Sequence, residues 1–314
     1  MMIYLDFEKP VAALEARILE LQAATQESDI DADVEIAKLR GKADKQLADT
    51  YANLTAWQKT QVARHPERPH FKHYIASIFE DFMPLAGDRA FGDDQAIIGG
   101  LARLHGRRVM VIGHEKGDDT QSRIRHNFGM GKPEGYRKAI RLMELADRFG
   151  IPVVSLVDTS GVFPGIQAEE RGQAEAIARS TEACLALGVP MIACIVGEGG
   201  SGGAVALAAA DRILMFQYAV YSVISPEGCA SILWRTGDKA ADAAQAMKMT
   251  ADDLKSLRII DRIVKEPVGG AHRDHALAAA TLASAIHEEL EALSAFSAKE
   301  LVQQRRTKFL SMGA

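Results

Sequence analysis

The densest chemical signal in the chain is Gly197-Glu198-Gly199-Gly200-Ser201-Gly202-Gly203, five glycines in seven residues. Glycine loses the most backbone freedom on folding, so such a run marks a place where backbone geometry itself is needed. It follows an apolar, strand-like stretch at 189–196 and opens a small-residue stretch at 202–210 that reads as a helix. A helix start presents unpaired N–H groups and the positive end of the helix dipole. With no Cβ atoms in the way, a ligand can approach those groups. Such a site receives an anion or a developing oxyanion.

Three chemical readings compete. A phosphate loop needs Lys-Ser or Lys-Thr after its last glycine, and Ala204-Val205 stand there instead. A nucleophile elbow fits better, because Gly199-Gly200-Ser201-Gly202-Gly203 matches G-x-S-x-G between a strand and a helix. Its triad would draw on Asp211, Glu227, Asp238 or Asp261 with His272 or His275, an order that chance easily satisfies. The third reading is an oxyanion hole of backbone N–H groups alone, with Ser201 as a small spacer. Tight packing of a helix on a strand is the purely structural alternative. The pattern leaves elbow, oxyanion hole and packing open.

A second glycine-and-proline turn, Asp158-Thr159-Ser160-Gly161-Val162-Phe163-Pro164-Gly165, closes the strand-like stretch 151–157. In open α/β sheets, ligands sit outside the carboxyl ends of the strands. If the strands 151–157 and 189–196 are neighbours, their turns converge and their N–H groups can share one oxyanion. Glu169, Glu170 and Arg171 read as a solvated helix turn, with a lid as the functional alternative.

The elements that must position these turns alternate from about residue 100. Strand-like runs at 108–113, 151–157, 189–196, 212–216, 221–224 and 259–264 are separated by helical stretches at 133–149, 169–187 and 202–210, with two or three more helices at 226–257. Helices at 271–293 and 298–309 end the chain. Repeated strand–helix–strand units imply a parallel sheet with helices on its faces. The first seventy residues differ. Val11, Leu14, Ile18 and Leu21 make one apolar helical stripe, and Ile36, Leu39, Ala43, Leu47, Thr50 and Leu54 make a second. The acidic stretch 28–33 joins them as a turn, and Thr55 is placed to cap a third short helix. This helical hairpin packs on its own core or serves as a subunit contact.

Composition narrows the classes. The chain has 314 residues, 37 Lys and Arg against 42 Asp and Glu, and a net charge of −5, which argues against nucleic-acid binding through bulk charge. Its 47% hydrophobic and 25% charged content is that of a globular protein. The start, MMIYLDFEKP, does not read as a signal peptide, and no run approaches the roughly 18 apolar residues of a membrane span. Cys184, Cys194 and Cys229 form no CxxC pair, so reduced thiols and a cytoplasmic location are expected, with no membrane. His272-Arg273-Asp274-His275 lacks further ligands nearby, and no metal is expected.

Several longer runs carry a resemblance. DTSGVFPG, AEERGQAEAIAR, GEGGSGGA and YSVISPEGCASILW occur in that order. ARHPERP, LAGDRAFGDDQAIIGGLARL, GHEKG, RHNFGMGKPEGYRKAIRLM and EPVGGAHR complete the set. Together they resemble the alpha subunits of bacterial acetyl-CoA carboxylase carboxyltransferases over nearly the whole chain. One turn departs from the family. Ser160 and Val162-Phe163 stand where alpha subunits usually have proline and Ala-Tyr, while Gly161, Pro164 and Gly165 are kept.

The resemblance implies an α/β crotonase (ClpP-like) fold of stacked parallel β units with surrounding helices. It divides the chain into an N-terminal helical arm for subunit contact, 1–75, and a crotonase-type domain, 76–314. The implied reaction moves a carboxyl group from carboxybiotin, on the biotin carboxyl carrier protein, to acetyl-CoA, giving malonyl-CoA in fatty acid biosynthesis. Biotin and acetyl-CoA or malonyl-CoA are then substrates, and this chain binds no cofactor of its own. Implied partners are a beta subunit with a zinc ribbon, the carrier protein and biotin carboxylase, in an α2β2 heterotetramer. By motif match, the N–H groups of Gly202 and Gly203 form the oxyanion hole, and a bulkier residue at either would damage it. Gly161, Val162, Phe163, Pro164, Gly165, Gly199, Gly200 and Ser201 line the carboxybiotin side. The alternative is a serine hydrolase of ClpP-like or α/β type using Ser201. Glu198 would be the carboxylate of a hydratase or isomerase of this fold, or else a loop residue. His114-Glu115-Lys116-Gly117 would meet CoA phosphates or a partner, with a solvated turn favoured. The basic segment Arg123, Arg125, Arg137 and Lys138 would contact CoA or the beta subunit, or simply start a helix.

Overall fold

The computed structural model describes residues 3–27 and 32–313. Most of the expected acidic turn, 28–31, lies outside the described residues. The two stripes become helices α1 (Lys9–Glu27) and α2 (Asp33–Ala52). Ile18, Ile36, Leu39 and Ala43 are buried between them, with Leu14 and Leu21 alongside. Helix α3 (Ala56–Ala63) starts at Thr55, whose hydroxyl accepts the Gln58 N–H at 3.2 Å while Gln58 accepts the Thr55 N–H at 2.8 Å. That reciprocal cap fixes the entry of the chain. Pro66 and Pro69 separate α3 from α4 (Phe71–Ile78), whose Phe71 and Tyr74 belong to the main core.

One sheet of eight strands organises the rest: β1 (Glu80–Pro84), β2 (Ile97–Leu104), β3 (Arg107–His114), β4 (Val153–Thr159), β5 (Met191–Gly200), β6 (Arg212–Phe216), β7 (Val220–Ser222) and β8 (Arg262–Val264). Their order is β1-β2-β3-β4-β5-β6-β8, with β7 paired to the far end of β5. From β3 onward every pairing is parallel, as expected. The first three strands are antiparallel, so the sheet is mixed. The reason is local. His105 and Gly106 both have positive φ, 48° and 77°, and a two-residue turn of that kind closes a hairpin. The apolar pattern of β2 is diluted by Gly99-Gly100, where a Cβ on Gly100 would lie 2.1 Å from the Met83 carbonyl oxygen of β1.

The remaining helices are α5 (Thr120–Arg125), α6 (Pro133–Arg148), α7 (Ile166–Glu170), α8 (Gln173–Ala186), α9 (Ser201–Ala208), α10 (Pro226–Trp234), α11 (Ala240–Ala246), α12 (Ala251–Ser256), α13 (His275–Leu293) and α14 (Ala298–Leu310), some lying on the sheet and others on a neighbouring helix. The helix expected over 169–187 is two helices, because Gly172 sits at φ 78° as the N-cap of α8. Helix α6 lies on β2 and β3, and α9 lies on β4 and β5. Every residue of β4 is buried, as a strand covered on both faces must be. At the far end of the chain, Arg305 of α14 is buried. It donates to the carbonyls of Cys184 and Leu187, each at 2.8 Å, and to the Asp211 carboxylate at 2.7 Å. It thereby satisfies the orphan carbonyls at the end of α8. No helix among the described residues is long and apolar enough to cross a membrane.

Candidate active site

Strands β4 and β5 are parallel neighbours, so the two turns do converge. The pairing runs in step from Val153↔Met191 to Val157↔Ile195, then resumes at Thr159↔Gly199 with two extra residues in β5. The strand therefore does not end at Val196. It continues through the glycines to Gly200, pairing there with Val220, Tyr221 and Ser222 of β7. Most of the glycines are required by close approach. A Cβ on Gly200 would lie 2.3 Å from the Ser160 carbonyl, and one on Gly197 would lie 2.4 Å from Asp158 Oδ1. On Gly199 it would meet the Tyr221 ring at 2.7 Å, and on Gly203 the Gly161 oxygen at 2.7 Å. Gly202 differs: its nearest neighbour would be Ile177 Cγ2 at 3.4 Å, an ordinary contact. A single methyl group therefore has room at 202 that it lacks at 203.

Helix α9 begins at Ser201, with Gly200 as its N-cap and no side chain capping it. The N–H groups of Ser201, Gly202 and Gly203 come before the first intrahelical acceptor, so the helix itself does not satisfy them. Ser201 has φ 54°, the sharp turn of a nucleophile elbow in backbone form. On the β4 side, the Thr159 hydroxyl and Gly161 are tied together, with Thr159 Oγ1 donating to the Gly161 oxygen at 2.6 Å. Val162 pairs with Gly131, and the Phe163 N–H donates to the Gly131 oxygen at 3.1 Å. Lys132 Nζ stands 4.8 Å from the centre of the Phe163 ring. Pro164 is exposed, and Gly165 caps α7.

Beside this ridge lies a chain of buried and part-buried charges. Lys116, just past β3, donates to Glu198 at 3.0 Å and lies 2.7 Å from Asp158 Oδ1. The other Glu198 oxygen accepts Arg64 Nε at 2.6 Å, and Arg64 reaches on to Glu227 at 2.5 Å. His70 Nδ1 stands 3.5 Å from Asp158. Burial, the largest single influence, pushes both carboxyls up, but Lys116 together with His70 at Asp158, and Lys116 together with Arg64 at Glu198, outweighs it. Both are held below the usual carboxylate range. A cavity of about 210 Å³ opens over the cluster, lined by Arg64, His70, Lys116, Arg123, Ser160 and Glu198. A larger groove of about 680 Å³ runs between α6 and α8, but its lining mixes charges of both signs and includes no residue of the glycine ridge.

A family model described as acetyl co-enzyme A carboxylase carboxyltransferase-like matches residues 4–313. The chain belongs to this family. Curated relatives agree over their full length. The acetyl-coenzyme A carboxylase carboxyl transferase subunit alpha of Rhizorhabdus wittichii is 72% identical over 313 residues, covering all of both chains. That of Sphingopyxis alaskensis is 70% identical, covering 100% of this chain and 99% of the relative. Among solved structures, the transcarboxylase 12S core has a TM-score of 0.55 at 23% identity, covering 69% of this chain and 42% of that one. The geranyl-CoA carboxylase beta subunit of P. aeruginosa has a TM-score of 0.57 at 17% identity, covering 78% of this chain and 45% of that one. The chain spans less than half of each of these two, and they share its crotonase-type fold.

Membership of this carboxyltransferase family does not favour the serine hydrolase alternative, and the candidate triad members are engaged elsewhere. Asp211 pairs with Arg305, Glu227 with Arg64 and Asp261 with Lys308, while Asp238 accepts from Thr236. His272 stacks on His65 with ring centres 3.8 Å apart, and His275 contacts the Glu67 carbonyl oxygen. Other expectations are corrected too. Lys116 is buried in an ion cluster rather than placed in a solvated turn. Glu198 is a strand residue locked between two cations, not a loop residue. Arg137 donates to the Arg171 carbonyl, and Lys138 is buried against Asp93, so Lys138 is not exposed to a ligand. Arg123 does face the cavity. Sequence reading named Arg64 and Asp158 only inside longer runs, gave them no role, and did not name His70 at all. Their signal was the recurrence of charged residues immediately next to glycine and proline turns.

Proposed function

We propose that this chain is the carboxybiotin-side half of an acetyl-CoA carboxylase carboxyltransferase, acting only with a beta subunit. The observation that carries this is the uncapped start of α9 at Ser201, Gly202 and Gly203, set against the Ser160–Gly161 turn. Carboxybiotin supplies a carboxyl group on a ureido nitrogen, and the negative charge left behind settles on the ureido oxygen. Gly202 and Gly203 donate their N–H groups to that oxygen, which fits a site built of donors and a helix dipole. Gly161, Val162, Phe163, Pro164, Gly165, Gly199, Gly200 and Ser201 shape the walls around it. No side-chain nucleophile is needed, because the released biotin anion can itself take the methyl proton of acetyl-CoA, whose enolate then takes up the carboxyl group to give malonyl-CoA. The acyl-CoA oxyanion is held by the beta subunit. This chain needs no cofactor of its own.

The assembly we propose is an α2β2 heterotetramer in the cytoplasm, served by biotin carboxyl carrier protein and biotin carboxylase. The segment 1–75 acts in it as a subunit-contact arm. Support for a partner comes from Val223, Ile232, Leu233 and Trp234, which are exposed on and beside α10, next to the site. The test is the reverse reaction: malonyl-CoA decarboxylation dependent on a biotin analogue, with this chain alone and with a beta subunit. Activity only in the mixture is the expected result. An assembled but inactive mixture would refute the reading.

A further inference from the structure

We propose that Lys116 is a positioning residue for the glycine ridge: its ammonium clamps the carboxyl ends of β4 and β5 and so sets the N–H donors at the start of α9. The inference rests on the reading that those donors hold the biotin oxyanion.

The need for a clamp follows from the ladder. Between Val157↔Ile195 and Thr159↔Gly199 the regular β4–β5 pairing is interrupted by two extra residues in β5. On the β4 side, backbone bonds cannot fix the register of a segment they skip, and β7, a strand of three residues, is the partner that pairs with Glu198, Gly199 and Gly200 there. The segment is also nearly devoid of side chains, since 197–203 is glycine apart from Glu198 and Ser201. Glu198 carries its side-chain ties to two other segments, the residues after β3 and the end of α3. One Glu198 oxygen takes Lys116 at 3.0 Å and the other takes Arg64 at 2.6 Å. Its N–H donates to Asp158 Oδ1 at 2.9 Å, and the same Oδ1 is 2.7 Å from Lys116. Ammonium, Asp158 and Glu198 thus close a ring joining the ends of β3, β4 and β5, three residues before the first donor of α9. The ring is buried: the Asp158 side chain is 2% exposed and Glu198 12%. Such contacts are screened little by water or salt.

Removing the ammonium has a consequence that loss of packing alone would not have. The groups facing it are Asp158 on β4, Glu198 on β5, Arg64 and Arg68 after α3, His70 at the start of α4, His114 at the end of β3, and Arg123 on α5, with Glu227 of α10 engaged through Arg64. Without Lys116, Asp158 keeps only His70 and Glu198 only Arg64 as a cationic neighbour, so the two adjacent carboxyls hold a proton more readily than in the wild type.

The experiment uses this chain assembled with its beta subunit and follows malonyl-CoA decarboxylation with free biocytin. Lys116→Met is expected to lower kcat about tenfold to a hundredfold, as misplacement of donors does. The KM for malonyl-CoA should stay within about twofold, and a new ionisation should enter the kcat profile between about pH 6 and 9. Lys116→Arg should restore most of kcat and remove that ionisation. If the methionine variant does not fold, Glu198→Gln decides, with kcat lowered about tenfold at unchanged KM. Wild-type kcat and an unshifted pH profile in whichever variant assembles would overturn the inference. A wild-type complex without biocytin-dependent activity would instead overturn the functional reading, and the inference with it.

Discussion

Arg68 and Glu266 form a two-pronged ion pair, both contacts at 2.8 Å, with neither side chain more than 1% exposed. The Arg68 Nε also donates to the Val196 carbonyl oxygen at 2.8 Å, one residue before the glycine run. Glu266 accepts the N–H groups of Tyr218 and Ala271. A residue of the ARHPERP run therefore grips both β5 and the segment after β8. Arg68→Met would leave a buried carboxylate without its cation and should cost about 3–5 kcal/mol of stability. The double variant Arg68→Met, Glu266→Gln should recover part of that loss. Urea unfolding of the full chain measures both, and equal stability of wild type and Arg68→Met would contradict the expectation.

Gly202 and Gly203 should separate sharply. A methyl group at 203 meets the Gly161 oxygen at 2.7 Å, whereas at 202 it makes a 3.4 Å contact with Ile177. Gly203→Ala should reduce turnover about a hundredfold by displacing the donors. Gly202→Ala keeps its N–H and should stay within about threefold of wild type. Steady-state kinetics of the reconstituted complex tests the pair.

Ser201 holds φ 54° without being glycine. A side chain in that region costs about 1 kcal/mol. Ser201→Gly should therefore stabilise the chain by about that amount, read from its unfolding midpoint. Ser201→Ala should retain carboxyl transfer within about threefold. Abolished turnover in an assembled Ser201→Ala complex would return the serine to a chemical role.

Acid should weaken the fold through two histidines. Burial holds His114 down at about 4, and burial together with neighbouring His65, Arg68 and Arg273 holds His272 at about 2. Among the described residues, neither ring has a hydrogen-bond partner. An unfolded imidazole titrates near about 6.5. Below that pH the unfolded chain binds protons that the folded chain refuses, so stability falls as pH falls. Each histidine should account for about 2 kcal/mol between pH 6.5 and 5. Unfolding midpoints across that window should drop, and His114→Gln should flatten the slope.

How much of this was legible depends on where each interaction's partners lie. The two turns could be read because glycine and proline act on their own backbone, and the strands 151–157 and 189–196 because apolar runs mark buried strands locally. The hairpin of α1 and α2 followed from spacing alone. Strand β2 was missed because its glycines, needed for close packing on β1, erase the apolar pattern. The continuation of β5 through Gly200 was missed because glycine reads locally as loop, while its pairing with β7 and Thr159 is decided at a distance. The ion cluster was hidden for the same reason. Arg64 and Glu198 are 134 residues apart, and Lys116 and Glu198 are 82 apart.

The two extra residues of β5 carry a further consequence for length rather than composition. Along a strand, successive positions face opposite sides, so parity decides which residue meets which wall. Glu198 meets Lys116 while Gly197 and Gly199 press against Asp158 and Tyr221. Deleting Val196 or Gly197 would exchange the odd and even positions and move Glu198 by one place. The only long side chain of the segment would then be driven into a slot that admits hydrogen alone. Single-residue indels here should be far less tolerated than pairs.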